Sequence, residues 1–121
     1  MLLVDAANVV GSRPTGWWRD RAGAAAQLAE RIRAAAAVGA LAPPVVVVLE
    51  GAARRGVEEG ERDGVTVVHA PAEGDETLVT VAGAANQPVT LVSADRALGD
   101  RCRAAGADVV GPSWLLDRLG G

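Results

Sequence analysis

Two short runs constrain the fold more than any other feature of the chain: LLV at Leu2–Val4 and VVVVL at Val45–Leu49. Neither offers a polar residue to turn towards water. Each therefore reads as a strand buried on both faces, the pattern of a central strand in a parallel sheet. Burying both faces requires a layer of helices on each side. The chain is 50% hydrophobic yet has no Phe or Tyr and only three Trp. Its core must be built of Val, Leu and Ala, which suits a sheet flanked by small-residue helices.

Further strands are expected at Val65–Val68, Val89–Val92 and Asp108–Val110. After the first strand, Gly11–Gly16 (GSRPTG) is a turn-rich loop whose glycine spacing does not match a dinucleotide fingerprint. Trp17, Ala24, Leu28, Ile32 and Ala35 follow helical spacing, so one long helix is predicted over Trp17–Val38, stopped by Gly39 and Pro43-Pro44. The polar segment Ala53–Asp63 reads as helix or loop. Helices follow over Asp75–Ala84 and Arg96–Ala105, and Pro112 opens a last one. The alternation predicts a three-layer α/β fold with helices on both faces of a parallel sheet, strand order 3-2-1-4-5, and residues 1–121 as a single domain. The topological switch between strands one and four is the expected binding crevice.

Composition removes several chemistries. Arg supplies all 12 basic residues and Lys is absent, which excludes a P-loop lysine, a Schiff base and Ser–Lys catalysis. The net charge of −3 argues against coating nucleic acid through bulk charge, though not against a local basic rim. The single Cys102 permits no intramolecular disulfide or multi-cysteine metal site and reads as a small core residue. No apolar run approaches a membrane span, and no signal segment precedes the first strand, so a cytoplasmic protein is expected.

The acids gather at one sheet edge. Asp5 ends the first strand, Glu50 the second, and Asp95 follows the fourth; Asp75 and Glu76 open the helix after the third. Like charges at close range repel, and without Lys a hard divalent cation held by oxygen atoms is the economical counter-charge. Plainer roles stand beside each acid. Asp5, Asp75 and Asp95 are all placed to cap or open the next segment, and Glu50 to line the rim. Asp100 suits a surface ion pair with Arg96, one helical turn away, and His69 suits the rim.

VDAANVV near the N-terminus, GDETLV before a helix and TLVSADRAL at a strand end resemble the three signature blocks of the PIN-like nucleases, with the NYN domains the nearest group. GWWRDRAG and GPSWLLDRL resemble a compact bacterial NYN-like subgroup. The resemblance covers nearly the whole chain and implies a PIN-like fold, with Asp5, Asn8, Asp75 and Asp95 as catalytic residues. Asp5, Asp75 and Asp95 would bind the metal, Glu76 and Glu50 being weaker candidates, and Ser93 and Arg96 complete the third block. Ala6-Ala7 replaces a common small–aromatic pair, and Glu stands at position 50 where Asp is usual.

The expected function is a metal-dependent ribonuclease using Mg or Mn, with Asn8 orienting a ligand or water. Arg13, Arg19, Arg21 and Arg96, with Ser93, would contact substrate, and Trp17 and Trp18 could stack a base or pack a helix. RNA, single-stranded or structured, is the expected partner, with a free nucleotide or a second copy of the chain as further candidates and no membrane. Two other readings use the same residues: a nucleoside triphosphate pyrophosphohydrolase and a non-catalytic RNA-binding module. Arg54–Gly64 loosely resembles a Nudix helix but lacks the glycine and glutamate required upstream.

Overall fold

The computed structural model describes residues 1–120. Six strands form one sheet: β1 Leu2–Asp5, β2 Val45–Leu49, β3 Gly60–Arg62, β4 Val65–His69, β5 Thr90–Val92 and β6 Asp108–Val110, in the order β3-β4-β2-β1-β5-β6. The five anticipated strands run parallel and lie in the anticipated sequence. Within β1 and β2 the apolar run allows both faces to be covered, and Asp5 pairs in register with Val48.

The helices are α1 Ala6–Gly11, α2 Arg21–Ala37, α3 Gly74–Ala84, α4 Arg96–Ala104 and α5 Pro112–Arg118. Leu2, Val4, Val45, Val47 and Leu49 meet α1, α2 and α5 on one face through Val9, Leu28, Ile32 and Leu115. Leu3, Val46, Val48 and Leu91 meet α3 and α4 on the other through Leu78, Leu98 and Cys102. The result is a three-layer α/β sandwich whose aliphatic core matches the composition. Cys102 is fully buried in it. Among the described residues no helix is long and apolar enough to cross a membrane.

Two local expectations are corrected, and one helix is new. The long helix over Trp17–Val38 is two pieces: a 3₁₀ turn at Trp17–Arg19 and α2 from Arg21. Asp20 separates them with an extended φ of −149°, its carboxylate accepting from the Gly23 N–H at 2.8 Å as the cap of α2. The segment Ala53–Asp63 is neither plain helix nor loop. It runs from a 3₁₀ turn at Gly51–Gly56 into β3, which pairs antiparallel with β4. Asp63 and Gly64 join them with φ of 55° and 83°, a two-residue hairpin with both residues left-handed. Finally, α1 begins directly after Asp5, where the sequence carries no expectation of a helix.

A close approach fixes the turn after β2. A Cβ on Gly56 would collide with the Ala22 carbonyl oxygen of α2, so the Gly51–Gly56 turn lies against that helix with room for hydrogen alone.

Candidate active site

The carboxyl ends of β1 and β5 are neighbours, with Val4 paired to Val92. The next residues in each strand direction, Asp5 and Ser93, therefore stand side by side. Asp5 is 6% and Ser93 3% exposed, and they are the buried polar residues among the described ones. The Ser93 hydroxyl donates to Asp5 Oδ2 at 2.9 Å and accepts from the Asp95 main-chain N–H at 3.1 Å. Asp5 Oδ1 accepts from the Asn8 main-chain N–H at 3.4 Å, which makes Asp5 the cap of α1. The Asn8 side-chain oxygen in turn accepts from the Ala94 N–H at 2.7 Å. Two loops that are distant in sequence are thus cross-linked twice around one buried carboxylate.

Both roles considered for Asp5 coexist: it caps a helix and it sits at the crevice. Asp95 likewise caps α4 through the Leu98 N–H at 3.1 Å, leaving it half-exposed at the edge. Asp75 is not a cap. It lies in the first turn of α3, which starts at Gly74. Glu50 follows β2 and is half-buried; its Oε1 would lie 3.0 Å from a Cβ on Gly74, so it abuts the start of α3.

The electrostatics join these groups. Burial raises the Asp5 carboxyl above its ordinary range, the hydrogen bonds from Ser93 and Asn8 oppose this, and the charges of Asp75 and Glu50 add to it. Asp75 is raised by burial and then by the charges of Asp95, Glu73 and Glu76, against the Arg101 guanidinium. Glu76 itself is drawn to Arg101, its Oε1 2.9 Å from Nη2, and so faces α4. Asp100 pairs at 3.4 Å with Arg103 and not with Arg96, correcting the expected partner.

This donor set has the chemistry of a hard-cation site: all oxygen, rich in carboxylates, and without an ion-pair partner on Asp5, Asp75, Asp95 or Glu50 among the described residues. No three His, Cys, Asp or Glu side chains among those residues already close on one point as a finished metal cage. Asp5 is held through both of its oxygens, whereas Asp75 and Asp95 are half-exposed at helix starts, Asp95 with one oxygen engaged as the cap of α4.

The expected substrate residues divide. A cleft of about 200 Å³ is lined by Ala6, Val10, Trp17, Arg21 and Glu50, the last being the one member of the carboxylate group that reaches it. The Arg21 guanidinium lies 5.5 Å from the Trp17 ring centre, within cation–π range. Arg13 lines a different cleft, between α1, α2 and α5. Arg19 lies over Trp18 at 5.9 Å, and Trp18 is 54% exposed. Arg96 is exposed at the start of α4. Ser93 is buried, its hydroxyl donating to Asp5 and accepting from the Asp95 main-chain N–H. His69 is held at the rim by the Val57 carbonyl, 2.7 Å from Nε2. Sequence reasoning misses Gln27 and Arg31, which share the Arg13 cleft; on α2 they have the pattern of an ordinary solvated face.

No family model matches the chain, and no curated protein matches it. Among solved structures, the chain is similar to the crystal structure of a mutant of Rae1 (YacP) from Bacillus subtilis. The TM-score is 0.75 at 20% identity, covering 98% of this chain and 73% of that one. Likeness at that identity establishes a shared α/β fold across nearly all of the chain described above.

Proposed function

We propose that this chain is a metal-dependent ribonuclease of the PIN-like, NYN type, hydrolysing RNA phosphodiester bonds at the carboxyl edge of β1 and β5. The observation that carries the reading is the buried Asp5 carboxylate, held by Ser93 and the Asn8 backbone and surrounded by the charges of Asp75 and Glu50. Asp5, Asp75 and Asp95 would hold Mg²⁺ or Mn²⁺. When bound, that ion supplies Lewis-acid charge and a water of lowered pKa. Asp5 fixes the position by its own immobility, since both of its oxygens are engaged. Asn8 anchors the Ser93–Asp95 loop through Ala94, so its role is to position Asp95. Arg21 and Trp17 offer a guanidinium and a ring face in the cleft at Glu50, and exposed Arg96 offers a further phosphate contact.

A polymer substrate suits the site better than a free nucleoside triphosphate. The cleft at Glu50 is about 200 Å³, below the several hundred Å³ that small-molecule sites use to enclose a ligand. Arg54–Gly64 also lacks the helix that a Nudix site would require, being a turn and an edge strand.

Incubation with labelled single-stranded RNA and, separately, with the common nucleoside triphosphates tests this. The expected result is Mn²⁺-dependent RNA cleavage that Asp5→Asn abolishes. Triphosphate turnover without RNA cleavage, lost in the same variant, would keep the site and remove the nuclease.

A further inference from the structure

The second cleft, about 220 Å³ between α1, α2 and α5, has a composition unlike the carboxylate edge. Val10, Leu28 and Leu116 form an apolar floor, and Arg13, Gln27 and Arg31 supply polar groups. No acid lines it, whereas Glu50 lines the neighbouring cleft. Neither Arg13 nor Arg31 has an ion-pair partner among the described residues. Arg31 makes one long hydrogen bond, from Nη2 to the Leu119 carbonyl at 3.4 Å, and Arg13 is exposed. In a chain of net charge −3, two guanidinium groups without acid partners around an apolar floor form an anion site with room for a flat ring. A guanidinium fork matches phosphate oxygens, and a Gln amide offers both a donor and an acceptor to a base edge or a ribose hydroxyl.

The two clefts share a wall, because Val10 lines both. They flank α1, whose six residues span roughly 9 Å. Asp5 caps one end of that helix and Arg13 follows the other. A strand whose scissile phosphate lies at Asp5 can therefore reach Arg13 by running along a single short helix.

We propose that the α1–α2–α5 cleft is a subsite for the phosphate and base of a nucleotide beyond the one cut, in the same RNA strand; this rests on the nuclease reading above. The carboxylate edge handles the reacting phosphate, and the acid-free cleft holds a neighbouring one where no carboxylate repels it.

The test is binding of a fluorescent single-stranded 12-nucleotide RNA to Asp5→Asn protein in Mg²⁺, so that the strand is held uncut, at several salt concentrations. Adding Arg13→Gln and Arg31→Gln together should weaken Kd by about tenfold or more. It should also reduce the salt slope by roughly 0.7 for each phosphate that the variant no longer neutralises. Arg62→Gln, on the distant edge strand β3, should change neither. Arg13→Gln alone, at an exposed position, gives the same direction at smaller size if the double variant folds poorly. If the unmodified protein cuts RNA but the arginine variants keep the parent Kd and salt slope, the subsite is overturned and the nuclease stands. If the protein neither binds nor cuts RNA, both readings fall. A nucleoside monophosphate that binds as tightly as the 12-mer, and whose binding disappears in the arginine variants, would make the cleft a free-nucleotide site and overturn the strand assignment.

Discussion

Removing the Ser93 hydroxyl should destabilise the protein in a pH-dependent way that no ordinary core truncation reproduces. In Ser93→Ala, Asp5 loses its 2.9 Å hydrogen bond and retains the 3.4 Å bond from Asn8. The Asp95 N–H loses its acceptor at the same time. A hydrogen bond to a charged group contributes about 1.5–3 kcal/mol and a neutral one about 0.5–1.5 kcal/mol. With Asp5 only 6% exposed, water screens the loss weakly, and the total is about 2–4 kcal/mol at pH 7. For a chain of 121 residues, that corresponds to a fall in Tm of roughly 8–15 °C. The Ser93 bond lowers the Asp5 pKa, which burial has raised, so the variant raises it further. A carboxyl with a raised folded-state pKa destabilises the fold fully above that pKa, and the penalty fades as pH falls towards the unfolded value. The Tm gap between the two proteins should therefore be widest at pH 7 and narrow in the acid range as Asp5 takes up its proton. Thermal melts in EDTA from pH 7 downwards measure this. A gap under about 3 °C at pH 7, or one that does not change with pH, would refute the claim that Ser93 holds a buried charge.

Related perturbations address the neighbouring groups. Asp95→Asn keeps an N-cap for α4 while removing a charge that raises Asp75, so it should increase Tm in EDTA by a few degrees yet gain less than the parent when Mg²⁺ is added. Comparing the two melts with and without Mg²⁺ checks this, and equal Mg²⁺ gains count against the ion site. Relative to Asp5→Asn, the parent should become more stable as pH falls from 7 into the acid range in EDTA, because its raised carboxyl takes up a proton in the folded state before the unfolded one does. A pH-independent difference contradicts that. Gly56→Ala should cost about 2–4 kcal/mol in a urea titration, since the new Cβ meets the backbone oxygen of Ala22 and no side-chain rotation relieves it. A loss below about 1 kcal/mol would show that the turn can move away from α2.

Much of this architecture is legible because its central strands are continuous apolar runs. VVVVL can be little else than a strand covered on both sides, and the five parallel strands follow from it. The acids at the strand ends are legible for the same reason, as the polar residue that stops each run marks the sheet edge. Local signals are harder to weigh. Asp63-Gly64 is a strong hairpin pair, but the strand before it, Gly-Glu-Arg, has no hydrophobic alternation and is fully exposed. The Val9-Val10 pair in α1 favours a strand by propensity; the Asp5 cap and burial of Val9 against the core override it. Asp20 has the pattern of one polar residue on a long helix, although the Gly at position 23 leaves its N–H open to a capping carboxylate.

The site itself divides along the same line. Which carboxylates share an edge depends on strand order, and strand order can be derived from sequence. What each hydroxyl or guanidinium touches depends on side-chain packing, and that cannot be. Ser93 suggests a substrate contact because it precedes Asp95 in the motif. Its place beside Asp5 follows from the β1–β5 register, in which Val4 pairs with Val92. Arg13, Arg19 and Arg21 suggest one basic flank because they are close in sequence. The turn at Trp17–Arg19 sends Arg13 and Arg21 to different clefts.

The most direct measurement is anomalous scattering from a crystal of the protein soaked in Mn²⁺. The proposed function predicts one strong peak at the carboxyl edge of β1 and β5, within about 2.0–2.3 Å of an Asp5 oxygen, with Asp75 and Asp95 turned towards it. The peak should be absent in Asp5→Asn. A peak elsewhere, or none at an Mn²⁺ concentration that supports RNA cleavage, would contradict it.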